Sequence, residues 1–209
     1  MKKTNVLLTI LILAVATIVS CTASEKKEGT ETKMENQKEQ TSEFKENPHY
    51  IISVTVGDKH LGDIEIELFP DKAPKHVHNF DSLVAIKFYD GTAFHRVIPG
   101  FMIQGGDPNS KNKPKSTWGY GDPSQTRVPA EFNDTKHVRG IISAARSADP
   151  NSATSQFFIM HGDAPHLDGQ YSAFGKVVKG MEVVDEICKL PREGSAPVEK
   201  VEMKIRRIK

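Results

Sequence analysis

The sequence predicts a mainly β domain of about eight short strands and two helices, folded as a sandwich or barrel. Three observations carry this. Apolar and polar residues alternate at both ends of the stretch 50–209, helical spacing is confined to two segments, and Gly and Pro punctuate the chain between them.

Tyr50–Val56 alternates in the β manner, and Gly62–Phe69 does so with Ile64, Ile66 and Leu68 on one face and Glu65 and Glu67 on the other. Gly57-Asp58-Lys59-His60-Leu61 joins the two as a hairpin. After Pro70 the period changes. Val77, Phe80, Val84 and Phe88 recur at three- and four-residue intervals, and Pro74 suits a first helical turn, so the spacing predicts a helix over Ala73–Lys87 that stops at Tyr89-Asp90-Gly91. Short strands follow at Phe94–Ile98, Met102–Gln104, Val138–Ala144, Gln156–Met160 and Ala173–Val178. A second helix spans Met181–Lys189 with Met181, Val184 and Ile187 inward, and a last strand alternates from Val198 to Ile208. The stretch between Asp107 and Asn133 is loop-like and rich in Pro, Asn, Lys and Gly. Loops of that length inside a compact domain are usually functional or mobile.

The chain opens with Lys2 and Lys3 and an uncharged apolar run from Val6 to Val19, which is shorter than the roughly 20 residues of a spanning helix. Residues 1–20 therefore read as an export signal. Its end, Ile18-Val19-Ser20-Cys21, has the form of a lipobox, which makes Cys21 the lipid-accepting thiol and the new N-terminus. An ordinary cleaved signal with an incidental cysteine is the alternative. From Thr22 to Pro48 the only sizeable apolar residues are Met34 and Phe44, too few to offset ordering entropy. The expected organisation is a signal peptide at 1–20, a lipidated cysteine and disordered tether at 21–48, and a folded domain at 49–209. Such a protein would be held to a membrane by the lipid on Cys21, in the extracytoplasmic bacterial envelope, in the periplasm or at the outer membrane. Thr22 stands where enterobacterial inner-membrane retention uses Asp, which leans toward an outer membrane in a cell that has two.

The charge balance is near neutral, with 28 Lys and Arg against 27 Asp and Glu. No basic stripe with interleaved aromatics appears, so no nucleic-acid partner is expected, and Lys204, Arg206, Arg207 and Lys209 read as the solvent face of the last strand. With Cys21 lipidated, Cys188 has no disulfide partner and reads as a small packed residue. His76 and His78 are two apart on a helix and cannot share a face. His95 is expected to be packed or hydrogen-bonded within its strand, while His161 and His166 lie near loops. No metal-ligand spacing appears, so neither metal nor cofactor is expected, and the protein is expected to act as a monomer.

The run Phe94-His95-Arg96-Val97-Ile98-Pro99-Gly100-Phe101-Met102-Ile103-Gln104-Gly105-Gly106-Asp107 sets a permanent cation among apolar side chains. With Ser155-Gln156-Phe157-Phe158-Ile159, and with Leu167-Asp168-Gly169 followed by Phe174-Gly175-Lys176-Val177, it resembles the active-site segments of the cyclophilins, in the same order. The resemblance runs from about Tyr50 to the C-terminus. It implies a closed eight-stranded antiparallel β-barrel capped by two α-helices. It also implies peptidyl-prolyl cis–trans isomerase activity on proline-containing polypeptides, assisting the folding of exported proteins.

Rotation about a peptide bond opposes a barrier of ~18–20 kcal/mol set by C–N double-bond character, and requires no acid, base, nucleophile or metal. A donor that draws the prolyl nitrogen's lone pair out of resonance helps, provided it fits the twisted state better than the planar one. The resemblance assigns this role to Arg96, as a buried donor with a permanently charged, rigid fork of N–H groups. Phe101, Met102, Phe158 and Leu167 would line the proline slot, while Gln104 and Gln156 offer amides to the peptide backbone. Arg96, Phe101 and Gln104 make up the implied catalytic group. Ala145 and Arg146 would pair main chain to main chain with the peptide, and His166 and Tyr171 would stand at the rim.

Three positions depart from the best-known eukaryotic pattern: Arg146 for Asn, His166 for Trp and Tyr171 for His. The first contact is expected to be made by backbone and survives; the other two bear on drug affinity and substrate preference. A non-catalytic module that captures Pro-containing segments is the competing reading, and a structural lipoprotein is a third. Both predict loss of the Arg or of slot residues, yet Arg96, Phe101, Met102, Gln104 and Phe158 all remain.

Overall fold

The computed structural model describes residues 44–209; the expected export signal, Cys21 and the tether as far as residue 43 lie outside the described residues. Eight strands form a closed barrel: β1 (His49–Val56), β2 (Lys59–Leu68), β3 (Thr92–Ile98), β4 (Met102–Gly105), β5 (Ile141–Ala144), β6 (Phe157–Met160), β7 (Ala173–Lys179) and β10 (Val201–Arg207). Their order around the barrel is β1-β10-β3-β4-β6-β5-β7-β2, and every pair is antiparallel. The two remaining strands, β8 (Arg192–Glu193) and β9 (Ala196–Pro197), form a separate small hairpin.

Alternation decides which side chains fill the barrel. Ile52 lies opposite Ile64 on β2 and Ile205 on β10, and all three are buried. Their outward neighbours Glu65 and Glu67 pair with Lys179 (3.0 Å) and Lys176 (3.3 Å) across to β7. The β1–β2 connection is tight: Val56 faces Lys59, and Gly57, with φ +57, takes the turn position that strains other residues.

Helix α1 (Pro74–Ala85) buries Val77, Phe80 and Val84 in this interior, and α3 (Met181–Lys189) buries Val183, Val184, Ile187 and Cys188 in the same cluster. The Phe80 ring meets Tyr50, Tyr89, Phe157 and Phe174 with centroids 5.1–5.8 Å apart, so truncating it to Ala would cost about 3–5 kcal/mol. Burial pushes the Cys188 thiol up to about 11, in keeping with a packed residue.

The start of α1 has no cap from its own sequence. Glu131, 55 residues on, accepts the N–H groups of Lys75 and His76 at 3.0 Å each and meets His76 Nδ1 at 2.6 Å. A carboxylate there satisfies orphan N–H groups and complements the helix dipole. At the other end Lys87, φ +57, closes a Schellman turn in which the Phe88 N–H reaches the Leu83 carbonyl.

Four expectations need correction. The predicted strand at Val138 begins only at Ile141: Val138 is 44% exposed, and Gly140, φ +89, sits in a turn. Residues 198–200 are not part of the last strand, and the β8–β9 hairpin precedes them. The long loop contains a one-turn helix, α2 (Asn109–Asn112), and a 3-10 turn at Lys115–Thr117. Both are organised by the buried Asp107, whose carboxylate accepts the N–H groups of Asn109, Gly119 and Gly121. Finally, among the described residues packing extends N-terminal to 49, as far as Phe44. Its ring is buried beneath the Arg207 guanidinium (5.3 Å), Asn47 bonds Glu67 (2.7 Å), and Lys209 pairs with Glu46 (2.6 Å).

Candidate active site

Strand register lines up the candidate residues. Arg96 on β3 faces Gln104 on β4, Gln104 faces Phe158 on β6, and Phe158 faces Ser143 on β5. One residue along, Val97, Ile103, Ile159 and Ile142 face one another in the same way, and these four belong to the barrel interior. The candidate row therefore lies on the outer surface, and Arg96 is exposed rather than buried as expected.

A second apolar cluster covers this outer face. Met102, Phe158, Met160 and Leu167 are buried in it, with Phe101, Ala145 and Tyr171 packed against its edge. The 3-10 turn Pro165–Leu167 turns Leu167 inward and leaves His166 exposed. The His166 ring stacks on Phe101, with centroids 5.9 Å apart and planes 27° off parallel. The slot's apolar walls and its imidazole rim thus come together as expected.

The polar side of the slot is a chain of side-chain bonds. Arg96 Nη1 donates to Gln104 Oε1 (3.2 Å), Gln104 Nε2 to Gln156 Oε1 (3.1 Å), and Gln156 Nε2 to the Gly119 carbonyl (3.1 Å). Each amide nitrogen keeps a second N–H. Two expectations change here. The Ala145 N–H donates to the protein's own Gln156 carbonyl (3.0 Å), so it is not available to a peptide. Arg146 is not only a backbone contact: its guanidinium lies over the Tyr171 ring at 4.5 Å, tied to the Ser147 and Gln170 carbonyls (3.0 Å each). A cleft of about 310 Å³ adjoins the slot, bordered by Gln104, Ala145, Arg146 and Gln156.

An apolar slot edged by one exposed guanidinium, with residues 50–209 matching the family described as cyclophilin type peptidyl-prolyl cis-trans isomerase/CLD, decides the assignment. The chain belongs to the cyclophilin family. It is an isomerase of prolyl peptide bonds. It is 52% identical over 132 residues to a probable peptidyl-prolyl cis-trans isomerase of Brucella suis, covering 61% of this chain and 67% of that protein. A chicken peptidyl-prolyl cis-trans isomerase-like 3 is 47% identical over 134 residues, 63% of this chain and 79% of its own. The crystal structure of a Cryptosporidium parvum cyclophilin superposes with a TM-score of 0.68 at 32% identity, over 78% of this chain and 98% of that one. A second structure of that protein, in the presence of the dipeptide Ala-Pro, gives 0.65 at 34% identity, over 75% and 96%.

Behind the slot of this cyclophilin stands a brace that sequence reasoning missed. His137 stacks on Phe158 (6.3 Å, 25°), its Nε2 meets Ser143 Oγ (3.1 Å), and its Nδ1 meets Asp168 Oδ1 (3.2 Å). Ser143 is fully buried, so this Ser–His–Asp string supports the slot floor and presents no nucleophile. A second brace holds Phe101. The Gly100 N–H donates to His161 Nδ1 (2.8 Å), His161 Nε2 meets Asp185 (3.1 Å), and Arg139 grips Asp185 through two bonds of 2.7 and 2.8 Å. No pattern in the sequence marks this brace, since Ser143 meets Phe158 only through the β5–β6 register.

Burial holds the imidazoles of His95 and His137 below the usual 6.5, although Asp168 pulls His137 the other way. Both are favoured as neutral in the fold, whereas the unfolded chain takes up protons readily below that value. Their stabilisation is therefore present above pH 6.5 and lost as pH falls through the lowered values. The melting temperature should fall between about pH 7 and pH 5, before most carboxylates titrate. Asp168 and Asp185, held below 3.8 by the His137 N–H and by Arg139 respectively, add their losses at lower pH. A profile flat from about pH 7 to 5 would contradict the neutral burial of these rings.

Proposed function

We propose that this cyclophilin is a lipid-anchored isomerase of the bacterial cell envelope that speeds the folding of exported proteins, with Arg96 as the donor to the prolyl nitrogen. The observation that supports the catalytic assignment most directly is the row Arg96–Gln104–Phe158, which sets a permanent cation beside the apolar slot. A proline ring seated on Phe101, Met102, Phe158 and Leu167 would fix one side of the rotating bond. Gln104 and Gln156, each with an N–H to spare, would hold the flanking chain. Met102 and Met160 supply a slot wall that adapts to ring pucker. The fork of Arg96 would then meet the pyramidal nitrogen of the twisted state. An Ala-Pro unit, the dipeptide in the Cryptosporidium parvum structure, is the minimal substrate of this reading. In this reading the protein acts as a monomer.

The envelope location rests on residues 1–21. A basic start, a short apolar run and Cys21 fit signal cleavage before a lipid-accepting thiol, with residues 22–43 as spacer. Uncatalysed isomerisation takes about 10–100 s, long enough to delay an exported client.

The catalytic reading is tested by following cis-to-trans conversion of an Ala-Pro peptide with the mature chain; no rate above buffer would sink it. Cys21→Ser tests the anchor. The variant is expected to leave the detergent phase, as unprocessed precursor or soluble protein, because no thioether to diacylglycerol can form. Normal cleavage with unchanged membrane partitioning would rule Cys21 out as the anchor.

A further inference from the structure

A recess of about 300 Å³ opens on the outer surface beside Arg96 and Gln104, and none of the apolar slot residues Phe101, Met102, Phe158 and Leu167 lines it. His95, Arg96 and Gln104 form one side, Lys115 and Trp118 from the long loop another, and the β8–β9 turn at Ser195–Pro197 closes it. None of its lining residues is acidic. Two cations nevertheless border it. Arg96 spends one N–H on Gln104, and Lys115 bonds the Pro197 and Val198 carbonyls; among the described residues neither pairs with a carboxylate. Asp107, whose field reaches His95, is fully buried and its oxygens are taken by backbone N–H groups. Lys115 Nζ also lies 5.8 Å from the Trp118 ring centroid, and the indole N–H is tied to the Lys113 carbonyl (2.9 Å), so the ring stands as a fixed wall. Two exposed cations with no acid beside them leave a positive recess whose complement is an anion.

We propose that this recess is a subsite for an acidic side chain of the client polypeptide, held by Lys115 against the Trp118 wall and drawn in by the field of Arg96. This rests on the isomerase reading, because the client must be seated by its proline. Gln104 borders the recess and also faces Phe158 of the slot. An extended chain advances about 3.3–3.6 Å per residue, so the acidic residue lies within about two positions of the Ala-Pro unit.

The test uses the mature chain in detergent and four peptide pairs with an Ala-Pro core, carrying Glu or Gln at one of the two positions on either side of that core. NMR titration gives the affinity of each peptide, and exchange spectroscopy on the same samples shows whether it is isomerised. At one position Glu is expected to bind about three- to fivefold more tightly than Gln, the yield of a part-exposed ion pair. The ratio should shrink with added salt. Lys115→Gln, which keeps a donor for the Pro197 carbonyl, should bring the ratio to about one, and Lys115→Arg should restore it. Exchange in every peptide with a Glu-to-Gln ratio of one at all positions would overturn the subsite alone. So would a Glu preference that survives Lys115→Gln. No exchange in any peptide would overturn the isomerase reading, and the subsite with it.

Discussion

Replacing Arg96 by Ala should lower kcat/KM by about 10²–10³, the scale seen when one preorganised donor to a transition state is removed. The reason is directional. A planar prolyl amide keeps its nitrogen lone pair in resonance and offers the guanidinium little; the twisted amide exposes that pair, so the bond strengthens where the barrier is highest. Stability should hardly change, because Arg96 is exposed and, among the described residues, its side chain bonds only Gln104. Surface substitutions of this kind stay within about 0.5 kcal/mol. Arg96→Lys should recover little, since a single ammonium cannot bond Gln104 and the prolyl nitrogen in the same fork. The measurement is peptide isomerisation beside a melting curve. Wild-type rates in Arg96→Ala with an unchanged melting temperature would mean another group is the donor.

The second large effect concerns cyclosporin. In the drug-sensitive eukaryotic cyclophilins that this chain resembles, a Trp packs against the drug and donates its indole N–H. By that resemblance His166 would hold that place; it is exposed and stacked on Phe101 at 5.9 Å. Imidazole offers less apolar area, and its donor sits nearer the backbone. At ~25 cal/mol per Å² of lost apolar contact, and ~0.5–1.5 kcal/mol for a neutral hydrogen bond, inhibition should be weaker by about one to three orders of magnitude. His166→Trp should regain most of it. Isomerisation should change far less, because in the proposed reading Met102, Phe158 and Leu167, buried below the rim, would grip the ring. Nanomolar inhibition of the wild type, or no gain in the Trp variant, would defeat the argument.

The long periodic elements were legible from residues alone. Met181–Lys189 was expected at the bounds the structure shows, since Met181, Val184 and Ile187 mark one face. The residues of the outer row, Arg96, Met102, Gln104 and Phe158, were named through the family resemblance, and their common outward face follows from the strand register. Closure of the barrel came from family resemblance, as periodicity does not distinguish a barrel from a sandwich. The β8–β9 hairpin escaped notice because two-residue strands in Arg192–Pro197 carry no period. Phe44 was read as tether because nothing apolar surrounds it in sequence; Arg207, which covers it, lies at the other end of the domain. The exposure of Arg96 was misjudged for a related reason. Apolar neighbours along a strand suggest a core, yet on a barrel alternate neighbours face opposite ways. The Asp168–His137–Ser143 brace joins residues whose partnership only the fold creates.

Site and core of this barrel are two sides of one alignment. Ile103 points into the interior between Met102 and Gln104, which point out. A one-residue slip of β4 would send Gln104 into the hydrocarbon filling and turn Ile103 toward the client. A single-residue insertion in the Pro99–Phe101 turn therefore should not yield a folded but weakly active protein, because the chain has no way to misplace its site while keeping its interior dry. Point substitutions on the outer row behave in the opposite fashion. At Arg96 and Gln104, the polar positions of that row, each replaces a group above an undisturbed wall of Val97, Ile103, Ile159 and Ile142, so preference for clients can drift there without testing the barrel's cohesion.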